Sequence, residues 1–166
     1  YGFQKWQNER DAARLALKGD TRFTALRYFN VFGPRQDPQS DYSGVISIFV
    51  DRILKGIPIT IYGDGTQTRD FVNVADVVQA NFAVRSVASA FDIFNVGTAE
   101  ETSLLTLAEH LYAITKRAKE IRFNAPRIGD IRRSVADISH LMSSTNYTPN
   151  VPILQGLQEL VSAIRP

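Results

Sequence analysis

Helical and extended patterns take turns along this chain, and no other feature limits its fold as much. Residues 44–55 carry Ile46, Phe49, Val50, Ile53 and Leu54 at the spacing of one helix face. Ile57 to Tyr62 then alternates toward a strand and ends in the tight turn Gly63-Asp64-Gly65. Phe71-Val72-Asn73-Val74 reads as a short strand. Asp76 opens a helix to about Ser86, because an acidic group is favourable in the first turn. Phe91 to Val96 alternates as a strand and stops at Gly97. Ser103 caps a helix holding Leu104, Leu107, Ala108, Leu111 and Tyr112. Such alternation specifies an α/β fold.

The remaining stretches agree with that class. Residues 3–18 are good helix formers without Pro and end near Gly19. Residues 24–29 form a strand candidate that Val31-Phe32-Gly33-Pro34 stops, and the polar residues 35–43 form a loop. Residues 120–123 and 134–137 read as short strands on either side of a Pro/Gly/Arg loop at 124–133. Pro152 suits the first turn of a last helix with Ile153, Leu157, Leu160, Val161 and Ile164 on one face. With 166 residues and no repeat or linker, one unit is expected.

Composition removes several function classes. A net charge of +2 argues against nucleic acid or a membrane surface as partner. Without cysteine there is no disulfide, thiolate chemistry or Cys-based metal site. His110 and His140 fall in amphipathic helical stretches and read as surface histidines, so no metal site is expected. No run is long and apolar enough to span a membrane, and no signal-peptide pattern is present, which makes a cytoplasmic setting the expectation. The first residue is Tyr and not Met, which predicts a segment upstream.

The chain opens on Tyr1 and Lys5, four apart and therefore on one face of a helix. A free tyrosine has a pKa of about 10 and is a poor base at neutral pH. A neighbouring ammonium favours the phenolate and brings the group toward acid/base range. Tyr-x-x-x-Lys alone is a weak signal, equally satisfied by a packed Tyr near an exposed Lys.

Five further stretches accompany it: residues 27–36 (RYFNVFGPRQ), 43–49 (SGVISIF), 62–77 (YGDGTQTRDFVNVADV), 94–97 (FNVG) and 127–132 (RIGDIR). In this order and spacing the chain resembles the extended short-chain dehydrogenase/reductase family, most closely its nucleotide-sugar 4-epimerases. The resemblance implies the C-terminal part of a Rossmann-like NAD(P)-binding fold together with the small substrate-binding domain. It places the last Rossmann elements at about 1–33 and 75–97, interleaved with a sugar-nucleotide domain at about 34–74 and 98–166. The family's Gly-rich pyrophosphate loop is missing: none of the ten glycines form its spacing. The upstream catalytic Ser/Thr is missing too. NAD is thus implied for the intact family and not for this chain alone.

The resemblance also assigns residues. Tyr1 would exchange the proton at the sugar C4 hydroxyl, and Lys5 would lower its pKa and hold the nicotinamide ribose. Arg69 and Arg127 match arginines that pair with the diphosphate, a role suited to a planar fork of donors. Asn30 matches a contact near the phosphates, and Asp130 an acceptor for the nucleotide ribose. Val45, Ile61 and Tyr62 fall at the uracil pocket, where backbone groups could read the base. Ser134 matches a sugar contact whose small size leaves room for an N-acetyl group, which favours a UDP-N-acetylhexosamine. Read without the resemblance, Arg69 and Asp70 form a surface ion pair, and Tyr62 is a packed strand aromatic.

Three functions remain open on these residues. One is the substrate half of a UDP-hexose or UDP-N-acetylhexosamine 4-epimerase, inactive alone. Another is part of an NDP-sugar dehydratase or decarboxylase, which shares most of these motifs. The last is a non-catalytic UDP-sugar-binding or interaction module. Phe3, Trp6, Leu15 and Leu17 would be uncovered without a first half. That predicts a homodimer or an oligomer with exchanged elements, or a separate NAD-binding half as partner.

Overall fold

The computed structural model describes residues 2–19, 21–37, 39–40 and 44–164. Helix α1 (Gly2–Ala16) packs beside a parallel pair made of β1 (Phe23–Tyr28) and β6 (Phe91–Val96), with Leu26 opposite Phe94. The apolar run does not simply stop after β1. Asn30–Phe32 forms a second strand, β2, which leaves that sheet and pairs in parallel with β5 (Phe71–Asn73). The switch is fixed at Asn30, whose N–H donates to the Asp70 carbonyl at 3.0 Å. Strand β3 (Ile59–Tyr62) pairs in parallel with β8 (Ile121–Asn124). Strand β4 (Thr68–Arg69) lies between β7 (Thr102–Ser103) and β9 (Arg133–Ser134), antiparallel to the first and parallel to the second. The expected strand at 134–137 is thus only the end of β9.

Helices cover these strands. Helices α2 (Val45–Leu54), α4 (Leu104–Thr115) and α6 (Ile153–Ile164) follow the sequence periodicity. Ser103 caps α4 by accepting from the Thr106 N–H at 3.0 Å. Helix α3 (Val74–Ala83) starts two residues before Asp76, because the Asn73 side chain accepts from the Ala75 N–H at 2.8 Å and serves as its cap. A 3₁₀ turn (Val84–Ser86) finishes it. A further short helix, α5 (Ser139–Ser144), carries an exposed His140 against Asp92.

Two apolar clusters result. The first joins α2, α4 and α6 over β3, through Phe49, Ile53, Ile61, Leu107, Leu111 and Leu160. The second gathers Val72, Ala80, Phe94, Val96, Leu141 and Tyr147. They meet at β5, where Phe71 belongs to the first and Val72 to the second.

Asp70 sits at this junction, fully buried and turned away from Arg69. Its carboxylate accepts from the Thr98 N–H and hydroxyl, the Ala99 N–H and the Ala136 N–H, at 2.8 to 3.1 Å. The surface Arg69–Asp70 pair is therefore not formed; neighbouring strand residues point to opposite faces. Gly97 leaves room for the carboxylate, since a Cβ there would come within 2.6 Å of both Asp70 Oδ2 and the Ala136 Cβ. Gly97→Ala is expected to cost about 1–3 kcal/mol in urea unfolding through this overpacking. An unchanged midpoint would mean that the junction can relax.

Candidate functional site

The alternation of β3 decides what faces the cleft. Ile59 and Ile61 are fully buried in the first cluster, while Thr60 and Tyr62 line a cavity of about 370 Å³. Ile61 is thus a core residue, and Thr60 holds the cavity position beside Tyr62. Val45 and Ile48, at the start of α2, form another wall. Gly44 precedes α2 and offers no side-chain cap, so the helix's positive end remains near the cleft.

Strand β4 and the loop before β9 supply the charges. Arg69 donates through Nη1 to the carbonyls of Thr68 and Ile131, at 2.8 and 2.6 Å, and through Nη2 to Asp130 Oδ1 at 2.6 Å. Its fork is therefore oriented before any ligand arrives. The Arg127 guanidinium lies 3.9 Å from the centre of the Tyr62 ring, a cation–π distance. Gln67, also in the wall, donates to the Tyr62 carbonyl at 2.7 Å.

A second hollow of about 500 Å³ lies outside the first and shares Tyr62, Gln67, Arg127 and Asp130 with it. Asp64 and Arg132 pair on its rim at 3.1 Å. The Thr66 N–H and hydroxyl, then Arg132, hold the Asp64 carboxyl down at about 2.

Six of the residues singled out from sequence therefore line one cavity: Asn30, Val45, Tyr62, Arg69, Arg127 and Asp130. Ser134 does not line it; it lies on β9 in register with Arg69. Lys5 lies on the exposed face of α1 and lines a different hollow of about 550 Å³ against β1, with no lining residue in common with the first. Tyr1 lies outside the described residues. Thr60, Arg52 and Gln67 were not anticipated. Period-two reading of Ile59 to Tyr62 would have found Thr60, whereas Gln67 is defined by partners five and 63 residues away.

The profile of the NAD dependent epimerase/dehydratase family matches residues 1–97. The chain belongs to that family. A relative, the UDP-glucose 4-epimerase of Mycolicibacterium smegmatis, is 38% identical over 82% of this chain and 43% of its own length. The solved UDP-glucose 4-epimerase of Thermotoga maritima, holding UDP-glucose, superposes with a TM-score of 0.93 at 37% identity, over 98% of this chain and 52% of that one. The UDP-N-acetylglucosamine 4-epimerase of Methanobrevibacter ruminantium, in complex with UDP-N-acetylmuramic acid, gives 0.92 at 33% identity over 98% and 52%. Nucleotide-sugar decarboxylases and a dehydratase match as well, and some solved relatives hold NAD. This family member spans about half the length of the relatives it matches. Its parallel strand pairs follow the Rossmann-like epimerase fold over that half.

NAD requires free backbone donors for its pyrophosphate. Among the described residues, the first turns of α3 and α4 are closed by their own caps, Asn73 and Ser103. The N-terminus of α2 borders the cavity lined by Tyr62 and Arg69. Only Lys5 stands where the resemblance puts a cofactor contact. The described residues hold no cluster of metal-ligating side chains, and no helix among them is long and apolar enough to cross a membrane.

Proposed function

We propose that this chain is the nucleotide-sugar-binding half of a UDP-sugar 4-epimerase acting on UDP-hexoses or UDP-N-acetylhexosamines. The supporting observation is the convergence of Arg69, Arg127, Asp130 and Tyr62 on one cavity, in a chain whose relatives include epimerases solved with UDP-sugars. Arg69 and Arg127 take the diphosphate, with Asn30 beside it. Asp130 accepts from the ribose hydroxyls. Tyr62, Thr60 and Val45 enclose the base. On binding, Arg127 leaves the Tyr62 ring for a phosphate oxygen, exchanging a cation–π contact for a charge-assisted hydrogen bond. Ser134, small and in register with Arg69, supports an N-acetylated sugar.

Proton exchange at the sugar C4 hydroxyl belongs to Tyr1, with Lys5 favouring its phenolate. Turnover needs the NAD-binding half, so the chain alone binds without converting. The exposed Phe3, Trp6 and Leu15 of α1 support a dimer or a partner half on that side. Calorimetric titration of the chain with UDP-glucose and UDP-GlcNAc, and separately with NAD, tests the reading. UDP-sugar binding without NAD binding is expected. Heat from NAD alone, or from no nucleotide, would overturn it.

A further inference from the structure

Gln67 is only 5% exposed and carries an amide that the binding roles above do not use. Its Nε2 donates to the Tyr62 carbonyl at 2.7 Å and lies 3.4 Å from Asp130 Oδ2. Its own carbonyl accepts from the Leu104 N–H, which ties its backbone to the start of α4. From that anchor the side chain bridges the end of β3 and the loop that carries Asp130. The other Asp130 oxygen is held by Arg69 at 2.6 Å. An ionised carboxylate offers about four acceptor sites, so the protein takes one on each oxygen and leaves one on each. Two adjacent hydroxyls match what is left.

We propose that Gln67 is a positioning residue that fixes Asp130 against Tyr62, so that the carboxylate reads the ribose diol and the cleft prefers ribonucleotides to 2′-deoxyribonucleotides. The inference rests on the UDP-sugar reading of this cleft. Asp130 is exposed in the ligand-free chain, so the discrimination comes from the hydrogen bond that a hydroxyl makes to its oriented carboxylate and that a ligand without the hydroxyl does not make. Without the Gln67 amide, the carboxylate keeps only the Arg69 contact and can swing about it. The preference for the 2′-hydroxyl then falls, although every group that touches the ligand is still present.

The test titrates the wild-type chain, Gln67→Leu and Gln67→Glu with UDP and with 2′-deoxy-UDP, between roughly pH 5 and 8. Wild type is expected to favour UDP by roughly tenfold, the scale of one hydrogen bond to a charged acceptor. Gln67→Leu should lose roughly tenfold for UDP and little for the deoxy compound, which erases the preference. Gln67→Glu keeps the volume, but its carboxylate has no proton to donate to Asp130 or the Tyr62 carbonyl. Protonation restores a donor, so its preference returns as pH falls, while that of Gln67→Leu does not. Asp130, Arg69, Arg127 and the Asp64–Arg132 pair are common to all three proteins, and the wild-type curve accounts for them. Equal losses for both nucleotides, or a Gln67→Glu curve parallel to wild type, would overturn the proposal.

If wild type binds neither nucleotide, the UDP reading fails by itself. Gln67 is then judged by amide hydrogen exchange of the ligand-free chain. Exchange of residues 127–133 about tenfold faster in Gln67→Leu, with α4 and α6 unchanged, supports the positioning role. Unchanged exchange there removes it.

Discussion

Asp70→Ala is expected to destabilise this chain by about 3–4 kcal/mol, more than any change to the cleft. The carboxylate is fully buried and gathers three backbone N–H groups and one hydroxyl. Truncation leaves those donors without a partner and without water, and each orphan costs about 1–3 kcal/mol before relaxation. Asp70→Asn retains one acceptor oxygen and should cost less. Urea unfolding followed by circular dichroism measures both. A loss under about 1 kcal/mol for Asp70→Ala would mean that water enters and satisfies the donors. Asp70 adjoins Arg69, so its variants should also weaken nucleotide binding, but only as far as they unfold the chain.

Arg69→Ala carries the largest expected effect on binding. It removes a forked donor already aimed by the Thr68 and Ile131 carbonyls and by Asp130. Loss of a charge-assisted contact of this kind is worth about 2–3 kcal/mol, or roughly 30- to 150-fold in UDP-sugar affinity. Arg69→Lys keeps the charge and loses the fork, and should recover only part of the affinity. Equal affinities for the Lys and Arg proteins would show that only charge matters here. Full affinity in Arg69→Ala would move the diphosphate elsewhere. Calorimetry with UDP-glucose reads both outcomes.

The sequence makes some of this structure legible and hides the rest for physical reasons. Helices α2, α4 and α6 carry periodic apolar residues, and Ser103 announces the start of α4 by its chemistry. The split of residues 23–32 into β1 and β2 has no local marker. It is fixed by the Asp70 carbonyl, forty residues away in sequence. Strands β4, β7 and β9 have two residues each, too few for any alternation to show. Asn73 looks like a strand residue until its side chain is seen closing the N-terminus of α3. In the cleft, the charged residues were legible through the family motifs. The Ile61 side chain packs into the core with that of Ile59, as their spacing of two requires, so only its backbone can face the cleft. Asp70 follows Arg69 in the chain, but its side chain is buried while that of Arg69 pairs with Asp130, because burial is decided by which face a residue occupies.

Strand β5 is three residues long, yet it is common property. Phe71 belongs to one apolar cluster, Val72 to the other, and Asn73 caps α3 while lying so close to α6 that only a glycine fits at Gly156. Neither cluster can melt without stripping the other of a wall. Among the described residues, four small sheets and two cores would ordinarily suggest separate cooperative units with their own melting points. Here the shared strand links their fates, so the chain should lose its structure in one transition, with probes in either cluster reporting the same midpoint.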